Sequence, residues 1–288
     1  MKGGASRLVT LGVVALGTAA CSLLTDLSGL TTSEGAPDGT SPGSETGADV
    51  GPVADSGNET GSDVQGDASS CGCESLVSTY SFADAANLGR DTNDKNNMSS
   101  PHGTPRQSTM TPPGFSGHSI ELDGASNVCI ESGFTFDSTA DHTLCWWSRP
   151  AALANNTNQF AQHCGYDTWT ANAGTDYQWR INNCNGGTAS NLHLPNVYAV
   201  GKWVQICQTY TRATMTRTVI VNGGTSTTQR SSLRDSTPIV EAKDAPWCIG
   251  SYQGGGFWTG LVYRPMWFDR VLTEAEMVQV GTTSCCVP

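Results

Sequence analysis

Ten of the eleven cysteines in this sequence fall between positions 71 and 286: Cys71, Cys73, Cys129, Cys145, Cys164, Cys184, Cys207, Cys248, Cys285 and Cys286. As thiolates they could ligate a metal. Cys71-Gly-Cys73 and the vicinal Cys285-Cys286 would supply four sulfurs if the two ends of the region met. His142 near Cys145 and His163 beside Cys164 offer two mixed imidazole–thiolate pairs. In an oxidising compartment the same even set would instead close up to five disulfides. Other chemistry lacks its motifs, because there is no Gly-x-Ser-x-Gly turn, no phosphate-binding loop and no zinc-protease helix signature. Recognition remains. The stretches "HCGYDTWTANAGTDYQW" (163–179), "NCNGGTASNLHLPN" (183–196) and "SYQGGGFW" (251–258) mix Tyr166, Trp169, Tyr252 and Trp258 with amides and glycines, and Asn155 belongs with them. Aromatic faces and amides suit sugar rings and their hydroxyls, and rigid aromatics also anchor protein interfaces. Trp179, Trp203, Trp247 and Trp267 are assigned to the core.

The first seventy residues set the compartment. "MKGGASRLVTLGVVALGTAAC" has Lys2 and Arg7, an apolar run from Leu8 and small residues before Cys21, the order of a secretory signal over residues 1–20. The apolar run is too short to span a bilayer. The small residues before Cys21 resemble a bacterial lipobox, although Thr18 stands where Leu or Val is usual. That resemblance implies a lipid-anchored protein with Cys21 as its acylated first residue; with Ser22 rather than Asp following, it implies the outer membrane or cell surface of a Gram-negative cell. Ordinary cleavage after Ala20, giving a secreted product, is the alternative. Residues 22–70 hold nine acidic residues and no Lys or Arg among Gly, Ser and Thr. Such a segment buries too little apolar area to offset its ordering entropy, so residues 21–70 are expected to be a disordered tether reaching roughly 40 Å as a coil. The net charge of −11 leaves no basic surplus anywhere, and nucleic acid is not an expected partner.

Residues 71–288 form the expected folded domain. Short alternating runs separated by Gly, Asn, Thr and Pro read as strands: 76–82, 118–124, 127–132, 142–147, 158–164, 176–182, 202–210, 217–223, 246–252 and 259–268. Ten such runs with almost no helical periodicity predict an all-β antiparallel sandwich. One helix is signalled at the C-terminal end, where Thr273 and Glu276 form a capping box. In "DHTLCWWSRP" (141–150), Thr143, Cys145 and Trp147 share one strand face and Leu144 and Trp146 the other. Both faces are apolar, as in a central strand.

The order of "HSIELDG", "TLCWWSRP", "KWVQICQTY", "VIVNG" and "GFWTGLVYRPMWFDRVLTEAEM" resembles the LamG/pentraxin group of concanavalin A-like jelly rolls over about residues 77–279. Asp269 to Met277 carries the most specific part of the likeness. The resemblance implies a disulfide between Cys145 and Cys207. For the rest, Cys164 with Cys184 and a closing set of Cys71/Cys73 with Cys285/Cys286 leave Cys129 with Cys248 by elimination.

Glycoside hydrolases of this fold place three carboxylates on one strand as E-x-D-x-x-E. Here Glu121 and Asp123 are present but Ser126 occupies the acid position, and no lyase motif is found. Relatives with calcium imply a rim site, for which Asp123, Asp167 and Asp176 are the available acids. The sequence thus favours a non-catalytic, surface-anchored domain that binds extracellular polysaccharide or a surface protein. A glycan-active hydrolase or lyase, or a purely structural envelope protein, remains the alternative.

Overall fold

The computed structural model describes residues 73–100, 102–130, 137, 139–162, 166–183, 187–223, 226–239, 246–251 and 255–282. The expected signal and tether (residues 1–70), Tyr252, Cys71, Cys164, Cys184, Cys285 and Cys286 lie outside the described residues, as do the side chains of Tyr166 and Asp167.

The strands are β1 (Leu76–Thr79), β2 (Arg106–Ser108), β3 (Ser119–Asp123), β4 (Val128–Ile130), β5 (His142–Pro150), β6 (Asn158–Gln162) and β7 (Tyr166–Ala171). They continue as β8 (Asp176–Asn183), β9 (Gly187–Leu194), β10 (Val204–Thr211), β11 (Thr216–Gly223), β12 (Ser226–Arg234), β13 (Trp247–Ile249) and β14 (Thr259–Phe268), before helix α1 (Glu274–Thr282). Among the described residues they make two antiparallel sheets. The first runs β12-β11-β10-β5-β14-β3-β2, with β1 also on β14, and the second runs β4-β13-β6-β7-β8-β9.

All ten expected strands are present. β2, β7, β9 and β12 are additional, and β7 and β9 occupy what the sequence suggests are binding loops. Their composition explains the difference. "GTASNLHL" and "STTQRSSLR" lie at the edges of the two sheets, where a strand needs few apolar residues because one side and one face meet water.

Side chains from the two inner faces fill the space between the sheets. Leu144, Trp146, Ile206, Val219 and Trp267 come from the first sheet, and Phe160, Tyr177, Trp179, Leu192 and Trp247 from the second. Trp146 lies 4.6 Å from the Phe160 ring, and Trp267 packs edge-on against Phe160 and Trp247. Each such side chain contributes about 2 kcal/mol by leaving water. Trp203 differs from the expected core assignment: it is only half-buried and sits 6.4 Å from Tyr263.

A second, smaller cluster lies on the other face of the first sheet, under α1. Cys145, Cys207, Ile220, Met266 and Phe268 meet Leu272, Met277 and Val280 there. This is the apolar second face of the "TLCWW" strand. The capping box forms as expected, with Thr273 N donating to Glu276 Oε2 at 2.7 Å and Glu276 N to Thr273 Oγ1 at 3.3 Å. Gly281 lets the helix close on the sheet, since a methyl there would fall 1.9 Å from the Gln205 side chain. Gln205 Nε2 in turn donates to Met277 O at 2.8 Å.

Cys145 is bonded to Cys207, and Cys129 to Cys248. Both bonds join residues directly opposite one another on neighbouring strands. Cys73 is also disulfide-bonded; since the other four described cysteines pair among themselves, its partner lies outside the described residues. Cys145 is therefore no thiolate partner for His142, whose imidazole is fully buried with Nδ1 2.9 Å from Ala140 O.

Candidate functional site

The outer face of the second sheet carries one continuous row of polar and aromatic residues. Asn158 on β6 stands opposite Trp169 on β7, Trp169 opposite Gln178 on β8, and Gln178 opposite His193 on β9. Phe257 extends the row at the other end, bridging to Asn158 in parallel register. At the usual strand spacing the five residues span roughly 20 Å. A bulge in β6 creates this alternation. Gln159 and Phe160 both turn inward, where Gln159 Oε1 accepts from Trp146 Nε1 at 2.7 Å, and Asn158 is left on the outside.

Each member has a distinct environment. Trp169 is half-buried, with the Arg180 guanidinium 4.3 Å above its ring. One indole face is thus capped by a cation, where the sequence suggested an open stacking ring. His193 is exposed, and its Nε2 lies 2.8 Å from Asp176 Oδ2. Although burial opposes ionisation of Asp176, hydrogen bonds from Asn196 N, His193, Thr175 and Asn172 hold its carboxyl below the usual carboxylate range. Asn158 has no exposed surface, and neither of its side-chain polar atoms has a hydrogen-bond partner among the described residues. The same holds for Trp169 Nε1.

The structure brings together only part of the expected binding set. Trp169 is at the centre of the row, and exposed Asn155 lies in the turn that leads into β6. Tyr166 pairs with Gln162 in the β6–β7 ladder, but its side chain lies outside the description, and so does Tyr252. Trp258 is a correction. It is 1% exposed and packs 5.6 Å from Tyr198 in the core. Its neighbour Phe257, which the sequence reading passed over, takes the outer face, because side-chain direction alternates and one residue of register exchanges the two faces. Asn158 and Gln178 were also missed. Gln178 was signalled by its place between the buried Tyr177 and Trp179, whereas Asn158, two residues from the buried Phe160, reaches the other face only through the bulge and carried no signal in the sequence.

The three candidate calcium ligands do not fit one ion. Asp123 is exposed at the end of β3 in the first sheet, where Ala125 N donates to it at 3.0 Å. Asp176 is in the second sheet with its oxygens occupied by protein donors. Asp167 pairs with Arg180, four residues along β8 from Asp176, a separation of roughly 13 Å. Among the described residues no three His, Cys, Asp or Glu side chains are grouped to hold a metal. Glu121 is exposed on β3, and Ser126, at the position an acid would need, is buried with Oγ accepting from Asp123 N at 3.4 Å.

Two antiparallel sheets closed over a single core, with the chain crossing repeatedly between them, define a jelly-roll sandwich of the lectin type. The family model for the concanavalin A-like lectin/glucanases superfamily (Laminin_G_3) matches residues 122–278, and the chain belongs to that family. Domain 4 of an extracellular arabinanase from Geobacillus stearothermophilus, solved in complex with arabinotriose, is similar with 14% identity and a TM-score of 0.53 over 71% of this chain and 97% of that one. The ligand-binding domain of botulinum neurotoxin serotype D, solved with N-acetylneuraminic acid, is 10% identical with a TM-score of 0.54 over 72% and 50%. The receptor-binding domain of botulinum neurotoxin type G is 11% identical with a TM-score of 0.51 over 71% and 50%. This chain spans about half the length of the neurotoxin domains, and at these identities the likeness is one of fold. No curated protein matches the chain in sequence.

Proposed function

We propose that the domain is a non-catalytic recognition module that binds an extracellular glycan along the Phe257-to-His193 row. The observation that carries this is the row itself. It alternates aromatic and hydrogen-bonding side chains across five positions of one sheet face, with unmet donors and an acceptor at its centre. Aromatic surfaces suit the C–H faces of sugars, and the amides and imidazole suit their hydroxyls. That similarly folded domains have been solved with arabinotriose and with N-acetylneuraminic acid supports a carbohydrate ligand. The test is a glycan and peptide array probed with the full chain bearing Cys21→Ala. Retention on glycans, weakened by Trp169→Ala, is expected; retention on peptides alone would replace this reading with a surface-protein partner.

We further propose that acylation of Cys21 anchors the module at the outer membrane or cell surface, displayed on the acidic tether. The leader and the cysteine at its end support this. Expressed with its own leader, the wild-type chain is expected in the detergent phase of a membrane extract and Cys21→Ala in the aqueous phase. Wild-type protein recovered wholly in water would make it a secreted product.

A further inference from the structure

Asn158 is the unusual residue of the row. A buried side-chain amide normally has its donors and acceptor paired, because removing them from water without replacement is unfavourable. Here Oδ1 and Nδ2 are both buried and unpartnered, and the Nε1–H of the cross-strand neighbour Trp169 is unpartnered as well. Nothing else at this position explains the amide structurally, since the ladder on both sides is made by backbone: Asn158 N donates to Gly256 O at 2.7 Å. The cover over the amide is glycine. Gly256 has φ +62° and is exposed, and a methyl there would lie 2.8 Å from Asn158 Nδ2 and 2.6 Å from Asn156 O. The chain therefore keeps side-chain volume away from a place where both polar atoms of an amide are left unsatisfied.

Resting on the glycan reading of this face, we infer that Asn158 is the hydrogen-bonding centre of a neutral-sugar subsite between Trp169 and Phe257. A primary amide presents an acceptor and a donor side by side in one plane. Both atoms are closed to solvent in this structure, with the exposed Gly256 backbone beside them; once that backbone moves aside, two adjacent hydroxyls of a sugar ring match the amide, one donating to Oδ1 and the next accepting from Nδ2. Trp169 Nε1–H supplies a further donor to a hydroxyl or ring oxygen. The half-buried rings of Trp169 and Phe257 flank the amide in register and offer apolar surface to the sugar's C–H groups. The amide itself is neutral, and Asp176 is matched by His193; the Arg180 guanidinium on Trp169 keeps its charge, so an acidic sugar is the competing ligand that the test includes. A peptide bond also carries a donor beside an acceptor, but it would not use the two flanking rings in the same way.

The test uses the full chain bearing Cys21→Ala, with the side-chain amide resonance of Asn158 and the indole N–H of Trp169 followed by NMR. The probes are neutral pentose and hexose oligosaccharides, a uronic-acid oligosaccharide and unstructured peptides. Neutral sugars are expected to shift both resonances. Asn158→Leu is expected to weaken binding about tenfold, the equivalent of one well-made pair of hydrogen bonds, while its Tm stays level or rises because an unsatisfied amide is gone. Trp169→Phe, which keeps a ring and loses the N–H, should weaken binding with Tm unchanged. Neutral-sugar binding that leaves both resonances unmoved, or survives Asn158→Leu with a lowered Tm, overturns the subsite and leaves the glycan reading standing. Shifts with only the acidic sugar or only peptides overturn it as a neutral-sugar site. Binding of no sugar at all removes both readings.

Discussion

Arg217 on β11 allows a sharp quantitative test of what holds the two sheets together. Its side chain is fully buried. Nε and Nη2 donate to the two oxygens of Asp235 at 2.8 Å each, Nη1 to Trp179 O at 2.6 Å, and Nη2 to Ser190 Oγ at 2.8 Å. Trp179 and Ser190 belong to the opposite sheet, and the guanidinium also lies 5.0 Å from the Trp179 ring. Asp235→Ala leaves this cation buried without its counter-charge. The neutral acceptors that remain cannot replace a carboxylate, so the expected loss is about 3 to 5 kcal/mol. In a domain of this size that is a fall in Tm of roughly 10 °C. Removing both charges with Arg217→Met and Asp235→Leu should recover at least half of the loss, because the desolvation penalty disappears with the ion pair. The Trp179 carbonyl and the Ser190 Oγ, which both lose the guanidinium as donor, would keep the recovery incomplete. Urea unfolding of wild type, both single variants and the double variant closes the cycle. A loss below about 1 kcal/mol for Asp235→Ala, or single-variant losses that simply add in the double, would refute the argument.

Three other outcomes are expected. Burial lowers the His142 imidazole from its ordinary 6.5 to about 4, despite the hydrogen bond to Ala140 O and the nearby Asp137 and Asp141. The unfolded chain therefore takes up this proton first, and stability should decline by up to about 3 kcal/mol as pH falls from 6.5 towards 4; His142→Phe should flatten that slope in urea midpoints, and an unaltered slope would remove His142 as its source. Replacing Cys145 and Cys207 together by Ala should cost roughly 4 kcal/mol, given the 62-residue separation, and non-reducing peptide mapping of wild type should recover the 145–207 and 129–248 linked peptides. Trp258→Ala should cost about 3 to 5 kcal/mol by opening a core cavity, whereas Phe257→Ala should weaken glycan retention with a far smaller change in Tm; the reverse pattern would mean that the register at this strand is misassigned.

The strands rich in apolar residues were legible in the sequence, and those at the sheet edges or with threonines on their inner face were not. "HTLCWW", "VQICQTY" and "LVYRPMWF" announce themselves because both of their faces meet apolar partners, one in the main core and one under α1. β9 and β12 have Ser, Thr, Asn and Gln at positions that touch water, and composition alone does not distinguish such an edge from a loop. The binding surface suffered for the same reason. Aromatic residues in apparent loops drew attention to Tyr166, Trp169, Tyr252 and Trp258, yet Trp169 lies on a strand and Trp258 faces inward. Phe257 and Asn158 became visible only with the register, since a parity shift of one residue and a bulge two residues wide decide which side chain faces out. The acids suggested for calcium were chosen by type, and it is their assignment to different sheets and distant register positions that separates them.

The two described disulfides lie within the sheets, one in each, and neither crosses the sandwich. Mechanically this makes each layer a riveted plate and leaves the plane between the plates as the soft direction, crossed by non-covalent links alone among the described side chains of the two inner faces: the Arg217 network, the Trp146–Gln159 and Tyr177–Gln208 hydrogen bonds, and apolar contact. A load that shears one sheet past the other would meet no covalent stop from these two bonds, while a load that peels β5 from β10 would be arrested at Cys145–Cys207. Under tension the plates should therefore slip before they unzip. In single-molecule pulling, replacing Cys129, Cys145, Cys207 and Cys248 by Ala should leave the force of the first yielding event unchanged and lengthen only the extension that follows it.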